Sequence, residues 1–357
     1  MTTSATRVAV RLVGAPSVPV LVAAANALVA GDKGLLAIDE SIPTCNKRFA
    51  RLGIAQTEHN RRAYREMIVT TPSLADSISG VILCDETIHQ HTSGGEAFAT
   101  VLVNVGIVPG IKVDLGAKPL AGHPGETVTE GLDGLRERLA EYAGLGARFA
   151  KWRAVFTVGE TVPSRGCIQA NAHALARYAG LCQEAGLVPV VEPELLMAGA
   201  HTAARCGEIT EAVLREVFSQ LHTQGVLVEG MLLKTNMVVP GFSCPIQPPV
   251  EELAQATLCC LRRTVPAAVA GIVFLSGGQS GDLASARLNA INTAGQQPLP
   301  WPVGFSFGRA IQQPALSIWD GRDTNAGAAQ HAIAQRARNN RDARRGAYVP
   351  TALLAHA

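Results

Sequence analysis

Residues 231–241 read MLLKTNMVVPG, and Lys234 is the one ionisable side chain in that run. An amine attacks a carbonyl carbon only as the free base, a form that an apolar setting and a neighbouring cation both favour. The run around Lys234 supplies the first condition. Lys151, in RFAKWRAVF (148–156), supplies the second if both segments end at one mouth. The chemistry expected is imine formation with a ketone or aldehyde. Glu192 and Glu194 in VEPEL flank Pro193, so in a strand they share one face, where a carboxylate can move protons as a carbinolamine loses water. Asp39 in LLAIDES (35–41) offers a second base.

A second group of residues suits anions. SGGQSG (276–281) places Ser276, Gly277 and Gly278 in a turn between an apolar run and a helix expected to begin near Leu283. Backbone N–H groups in such a turn can cradle a phosphate, although a tight turn needs glycine for its own geometry. Gly308 and Arg309 add an amide and a guanidinium. Ser41, Thr44, Lys47, Arg48 and Lys112 form a second anion-binding group. Two such groups imply a substrate with a phosphate at each end.

These residues need elements to position them. Eight apolar runs recur along the chain: 35–41, 80–86, 106–114, 148–156, 187–196, 229–239, 270–278 and 302–309. Helical spacing lies between them, as in Leu132, Leu135 and Leu139, and in Val213, Leu214, Val217, Phe218 and Leu221 ahead of Gly225. Near-continuous apolar strands alternating with amphipathic helices predict a parallel sheet covered by helices, and eight units predict a closed (β/α)8 TIM barrel. An open doubly wound sheet is the alternative, but no GxGxxG follows the first strand. Asp39, Lys112, Asp114, Lys151, Arg153, Glu192, Glu194, Lys234, Ser276 and Arg309 all come late in their runs. In a barrel that is the catalytic face. A single charge at a strand end is ordinarily a solvated or salt-bridged rim residue. It is their recurrence at one place in successive units that argues for a site.

Composition sets the outer limits. The 357 residues are 47% hydrophobic and 17% charged, which supports a large core and excludes a disordered chain. A net charge of +2 without a block of like charges predicts neither nucleic-acid nor membrane partners. Arg336, Arg338, Arg341, Arg344 and Arg345, interrupted by Asp342, read as a solvated C-terminal helix. Eight scattered cysteines without CxxC spacing predict reduced thiols in the cytoplasm. VPVLVAAANALVA (18–30) is too short to span a bilayer and is expected to be an amphipathic first helix ending near Gly31. The expected organisation is a single-domain α/β chain, with an N-terminal extension at 1–17, the barrel at 18–330, and a C-terminal helix with a flexible tail at 331–357.

AIDES…TCNKR, GIKVD, KWRAVF, VEPELL, LLKTNMV, FLSGGQS and FSFGRA, in that order over roughly residues 20–320, resemble the class I fructose-bisphosphate aldolases. The DESxxTC form is similar to bacterial and plastid-type members. The resemblance implies aldol cleavage of fructose 1,6-bisphosphate to dihydroxyacetone phosphate and glyceraldehyde 3-phosphate, in glycolysis or gluconeogenesis. It also implies no metal or other cofactor, and a homo-oligomer, commonly a tetramer. By the same resemblance Lys234 is the Schiff-base lysine, Glu192 the main acid/base, and Lys151 and Arg153 tune the imine and hold substrate. Asp39 takes the C4 hydroxyl proton. Ser276, Gly277, Gly308 and Arg309 fall on the C1-phosphate side, and Ser41, Thr44, Lys47, Arg48 and Lys112 on the C6-phosphate side.

Two other readings remain open at this point: a metal-dependent barrel hydrolase using His89, His91 and His123, and a barrel that binds sugar phosphates or a protein partner without turnover. HxH alternation puts two rings on one face of a strand, but HQHTSGG (89–95) is polar and reads as a loop. Many members of the resembled family end in a tyrosine that assists proton exchange at the enamine, whereas this chain ends TALLAHA after Tyr348. Truncation after Tyr348 is therefore expected to leave cleavage turnover nearly unchanged. A large fall in the rate of enamine protonation, followed by detritiation of labelled dihydroxyacetone phosphate, would contradict this.

Overall fold

The computed structural model describes residues 18–294 and 298–350. The expected extension at 1–17 and the chain end at 351–357 lie outside these residues. The strands are β1 (Gly34–Ala37), β2 (Ile78–Leu83), β3 (Val108–Lys112), β4 (Ala117–Pro119), β5 (Thr127–Thr129), β6 (Phe149–Phe156), β7 (Val188–Leu195), β8 (Leu232–Thr235), β9 (Gly271–Phe274) and β10 (Val303–Phe307). Eight of them pair in parallel and close in the order β1–β10–β9–β8–β7–β6–β3–β2. Six of them fall within an apolar run, while β1 and β2 overlap theirs and begin one and two residues earlier. β4 and β5 form a separate antiparallel hairpin that the sequence reading did not anticipate. It is fastened over β6, where Thr129 Oγ1 donates to the Arg153 carbonyl at 2.9 Å.

Successive side chains of a strand point to opposite faces, and the barrel uses that alternation to separate two cores. Leu36, Val81, Trp152, Val191, Leu233, Ile272 and Phe305 pack outward under the helices. Leu35, Ala37, Ile82, Phe149, Val188, Val190, Leu232 and Val273 fill the inside together with Ala25, Leu28 and Val29. The last three come from or directly follow helix α1 (Val18–Leu28), which closes the base of the barrel. Gly31, at φ +61°, turns the chain from α1 toward β1.

Continuing the inward parity along each strand leads from apolar to charged residues. Ala37 is followed by Asp39, Phe149 by Lys151 and Arg153, Val190 by Glu192 and Glu194, and Leu232 by Lys234. The lower barrel is therefore dry and the upper barrel ionic.

The arginine-rich segment differs from expectation. It forms the helix Ala326–Arg344, but Arg336 is buried and bonds Asp282 at 2.5 Å and Ser285 at 2.9 Å. Arg344 donates to the carbonyls of Lys33 and Val29, while Arg341 and Arg345 both pair with Asp32. Val29, Asp32 and Lys33 lie between α1 and β1, so this helix clamps the base of the barrel. Charge patterning did not show this because the acceptors are backbone carbonyls and one aspartate about 300 residues away in sequence. Arg338 remains exposed.

The Phe149 ring fills the barrel floor against glycine. A Cβ on Gly110 would stand 2.2–2.5 Å from that ring, and one on Gly80 would stand 3.0 Å from it. Overpacking of this kind costs about 1–3 kcal/mol. Gly110→Ala is expected to lower the urea midpoint by that equivalent, and adding Phe149→Leu should recover part of it. An unchanged midpoint in the single variant would contradict this packing.

Candidate active site

The inter-strand register decides which charges meet. β7 and β8 pair Val190 with Leu232 and Val191 with Leu233, so one further step brings Glu192 beside Lys234. β6 and β7 pair Arg153 with Glu192, and β3 and β6 pair Lys112 with Lys151. The result is a continuous chain of ion pairs. Lys234 Nζ lies 3.0 Å from Glu192 Oε1, Glu192 Oε2 lies 3.2 Å from Lys151 Nζ, and Lys151 Nζ lies 2.7 Å from Asp39 Oδ2. Lys234, Lys151 and Glu192 are only 4%, 3% and 2% exposed. Isolated charges would not be tolerated at that burial, whereas two amines alternating with two carboxylates are mutually neutralised.

The expected cation near Lys234 is present, but it is met through Glu192, which holds one amine on each oxygen. The same carboxylate is thus within reach of a proton from either lysine.

Burial by itself would raise the Asp39 carboxyl, but Lys151, Lys234 and Lys112 outweigh it and hold Asp39 at about 2. Glu192 is lowered for the same reason, with burial opposed by Lys151, Lys234 and Arg153. Burial acts to lower Lys151, yet Asp39, Glu192 and Asp114 push it well above the usual lysine range. Near neutral pH the site therefore holds two ionised bases and a fixed cation at Lys151.

Around this cluster lies a cavity of about 920 Å³. Every site residue read from the sequence lines it: Lys234, Glu192, Asp39, Lys151, Glu194, Arg153, Lys112, Asp114, Ser41, Thr44, Lys47, Arg48, Ser276, Gly277, Gly278, Gly308 and Arg309. Their contacts differ. Glu194 is held by Arg153 at 2.5 Å, on a separate branch from Lys234. Lys112 is tied to Asp114, with Nζ 2.7 Å from the carboxylate and 2.6 Å from its carbonyl. Arg48 bonds Glu40 at 2.6 Å through Nη1, leaving its buried Nε and Nη2 without a partner among the described residues. Ser41 and Thr44 share a hydrogen bond of 3.1 Å.

In the turn after β9, Gly277 at φ +53° and Gly278 at φ +87° take left-handed conformations that side chains rarely adopt. They lead into the helix Gly281–Thr293, capped by the Ser280 hydroxyl. That helix starts two residues earlier than the sequence suggested. Arg309 opens the helix Arg309–Trp319 and lies against Gly278.

Several contributors were not evident in the sequence. Glu40 receives Arg48 and Arg65 on its two oxygens, at 2.6 and 2.9 Å. Gln312 donates to the Ala37 carbonyl at 2.6 Å and to Glu40 at 2.8 Å, so the turn carrying Asp39 is fixed from behind. Ser306 lines the cavity, is 1% exposed, and has no partner for its hydroxyl among the described residues. The inward parity Gly304, Ser306, Gly308 was the available signal for it. Arg51, Leu52, Leu115, Gly116 and Gln313 also line the cavity.

His89, His91 and His123 lie elsewhere. His89 contacts the Asp85 carbonyl and Glu141, His91 forms a bridge with Ala97, and His123 sits in the hairpin turn against the Ala121 carbonyl. No group of three or more metal-binding side chains occurs among the described residues. Tyr348 contacts Asp282 at 3.1 Å and is not part of the lining. No helix among the described residues is long and apolar enough to cross a membrane.

Comparison with known proteins gives a consistent result. The family model for fructose-bisphosphate aldolase class-I matches residues 20–356. A probable fructose-bisphosphate aldolase class 1 from Xanthomonas campestris pv. campestris is 57% identical over 325 residues, covering 91% of this chain and 97% of that protein. The cytosolic fructose-bisphosphate aldolase 5 of Arabidopsis thaliana is 49% identical over 328 residues, covering 92% and 91%. The fructose-bisphosphate aldolase of Plasmodium falciparum, solved with TRAP and a small-molecule inhibitor, superposes with a TM-score of 0.90 at 43% identity, covering 94% of this chain and 99% of that one.

The lowered Asp39 carboxyl has a consequence for stability. Its value falls from 3.8 to about 2 on folding, so its contribution of about 2 kcal/mol is present above the higher value and lost as pH falls toward the lower one. Between about pH 5 and pH 2, Asp39→Asn should lose less stability than the unsubstituted protein. Parallel stability curves in urea titrations across that window would contradict it.

Proposed function

This chain belongs to the class I fructose-bisphosphate aldolases, and on that premise we propose that it cleaves and forms fructose 1,6-bisphosphate through an imine on Lys234. The observation that carries the assignment is the unbroken contact sequence Lys234–Glu192–Lys151–Asp39 inside a cavity also lined by Ser41, Thr44, Lys47 and Arg48 after β1 and by Ser276, Gly277, Gly278, Gly308 and Arg309 after β9 and β10.

Lys234 Nζ attacks C2 of the open-chain ketose. Glu192, 3.0 Å from that nitrogen, relays to the C2 oxygen the two protons that the nitrogen sheds between ammonium and iminium, and the oxygen leaves as water. The imine so formed is positively charged and draws electrons from C3. Asp39 accepts the C4 hydroxyl proton, the C3–C4 bond breaks, and its electron pair becomes the enamine. Glyceraldehyde 3-phosphate departs. Protonation of the enamine at C3 and addition of water to the imine release dihydroxyacetone phosphate and restore the amine. Because the iminium serves as the electron sink, no step calls for a metal. Lys151, held cationic between Asp39 and Glu192, keeps both carboxylates ionised and oriented.

Ser276, Gly277, Gly278, Gly308 and Arg309 hold the phosphate on C1. Ser41, Thr44, Lys47 and the unpartnered nitrogens of Arg48 face the phosphate on C6, with Lys112 and Asp114 as a paired wall between. Ser306 supplies its free hydroxyl to a substrate oxygen. Arg153 and Glu194 brace one another at the rim. The cytosolic assignment of the Arabidopsis relative supports a cytoplasmic enzyme. Assembly as a homo-oligomer, a tetramer by family resemblance, is testable by light scattering.

Borohydride added with dihydroxyacetone phosphate should fix one triose phosphate on Lys234, identified by peptide mass, and EDTA should not prevent it. An adduct on another residue, or none, would reject the assignment. Glu192→Gln should lower kcat by about 100-fold or more while retaining phosphate protection of the cavity in hydrogen exchange. An unchanged kcat would remove Glu192 from the proton path.

A further inference from the structure

The cavity contains more positive than negative side chains, and the excess is not evenly spread. Its lining carries eight cations (Lys47, Arg48, Arg51, Lys112, Lys151, Arg153, Lys234 and Arg309) and five carboxylates (Asp39, Glu40, Asp114, Glu192 and Glu194), an excess of three. Five of the cations are engaged: Arg48 with Glu40, Lys112 with Asp114, Arg153 with Glu194, and Lys151 and Lys234 with Glu192. Among the described residues, Lys47, Arg51 and Arg309 form no ion pair. Arg309 stands at the glycine-turn end, beside Gly278. Lys47 and Arg51 stand in the lining that follows β1.

Helix α2 (Ile42–Ala50) explains why those two are together. Its N-cap is Ser41, its C-cap is Arg51, and it buries Cys45 and Phe49. Cavity-lining residues follow at 41, 44, 47, 48 and 51, the three-to-four spacing of one helical face. That face presents two hydroxyls first, then Lys47, then Arg51 one turn further. The glycine-turn end has left-handed backbone and a helix start to receive an anion, whereas the α2 end offers side chains. A phosphate there depends on each unpaired cation, and a guanidinium binds two phosphate oxygens at once.

We propose that Arg51 is a ligand of the distal phosphate and sets the preference of this enzyme for a sugar phosphorylated at both ends over one phosphorylated only at C1. The proposal rests on the aldolase assignment above and adds to it a residue that no sequence motif singled out. Arg51 makes no contact with Lys234, Glu192, Lys151 or Asp39 among the described ion pairs, so the role assigned to it is binding and not bond breaking.

The test compares fructose 1,6-bisphosphate with fructose 1-phosphate on the unsubstituted enzyme, Arg51→Gln and Arg51→Lys. For Arg51→Gln, KM for the bisphosphate should rise about 10-fold with kcat little changed, the signature of binding lost equally from ground and transition states. KM for fructose 1-phosphate should stay within about twofold, and Arg51→Lys should recover part of the bisphosphate affinity. A parallel rise for both substrates would mark Arg51 as structural, and no rise for either would place it outside the site; both results overturn the proposal. Borohydride trapping of dihydroxyacetone phosphate on Lys234 is run on the same proteins. Its absence from the unsubstituted enzyme would reject the aldolase assignment instead.

Discussion

Four charged side chains deprived of water hold one another in place at the centre of this molecule. Lys234, Glu192, Lys151 and Asp39 alternate in sign over contacts of 3.0, 3.2 and 2.7 Å. Removing one partner from a buried pair leaves the other uncompensated, at about 3–5 kcal/mol. The four therefore act as one unit. The same contacts that neutralise the cluster also assign its chemistry: a fixed cation at Lys151, ionised bases at Asp39 and Glu192, and an amine against a proton acceptor. Because the charges are already in position, little reorganisation is left to the reaction itself.

Such a cluster needs a closed, dry support. Phe149 over Gly80 and Gly110, with α1 beneath, seals the base of the barrel, so water does not reach the ion pairs from below and their mutual fields are weakly screened. A second polar network works from the side. Glu40, gripped by Arg48, Arg65 and Gln312, fixes the residues after β1, and Asp39 is the neighbour of Glu40. The C-terminal helix contributes from below by tying Arg341, Arg344 and Arg345 to the α1–β1 connection. Both sets of contacts thus brace β1, the strand that leads into one of the two bases.

Much of this was legible in the linear chain. Each barrel strand overlaps one of the eight apolar runs because burial on both faces leaves a continuous hydrophobic signature. The lysines and carboxylates that line the mouth interrupt those runs near their ends, where they stand out against Val, Ile and Leu. Less visible were residues whose role depends on a partner. Glu40 looks like any acidic residue after a strand until Arg65 and Gln312 reach it. Ser306 looks like a strand serine until its hydroxyl is found buried without an acceptor. The hairpin of β4 and β5 has strands of three residues each, too short for any periodicity to register.

The sequence by itself determined which residues share a face, since the two-residue period of a strand is a property of the backbone alone. It also determined that the inward face of β1, β6, β7 and β8 passes from apolar to charged. Only the closed sheet decided which acid meets which amine. Lys151 and Asp39 are 112 positions apart, and their 2.7 Å contact depends on the stagger at which the strands between them pair. That stagger is set by side-chain packing around the whole barrel and by its closure, neither of which is encoded in any one segment.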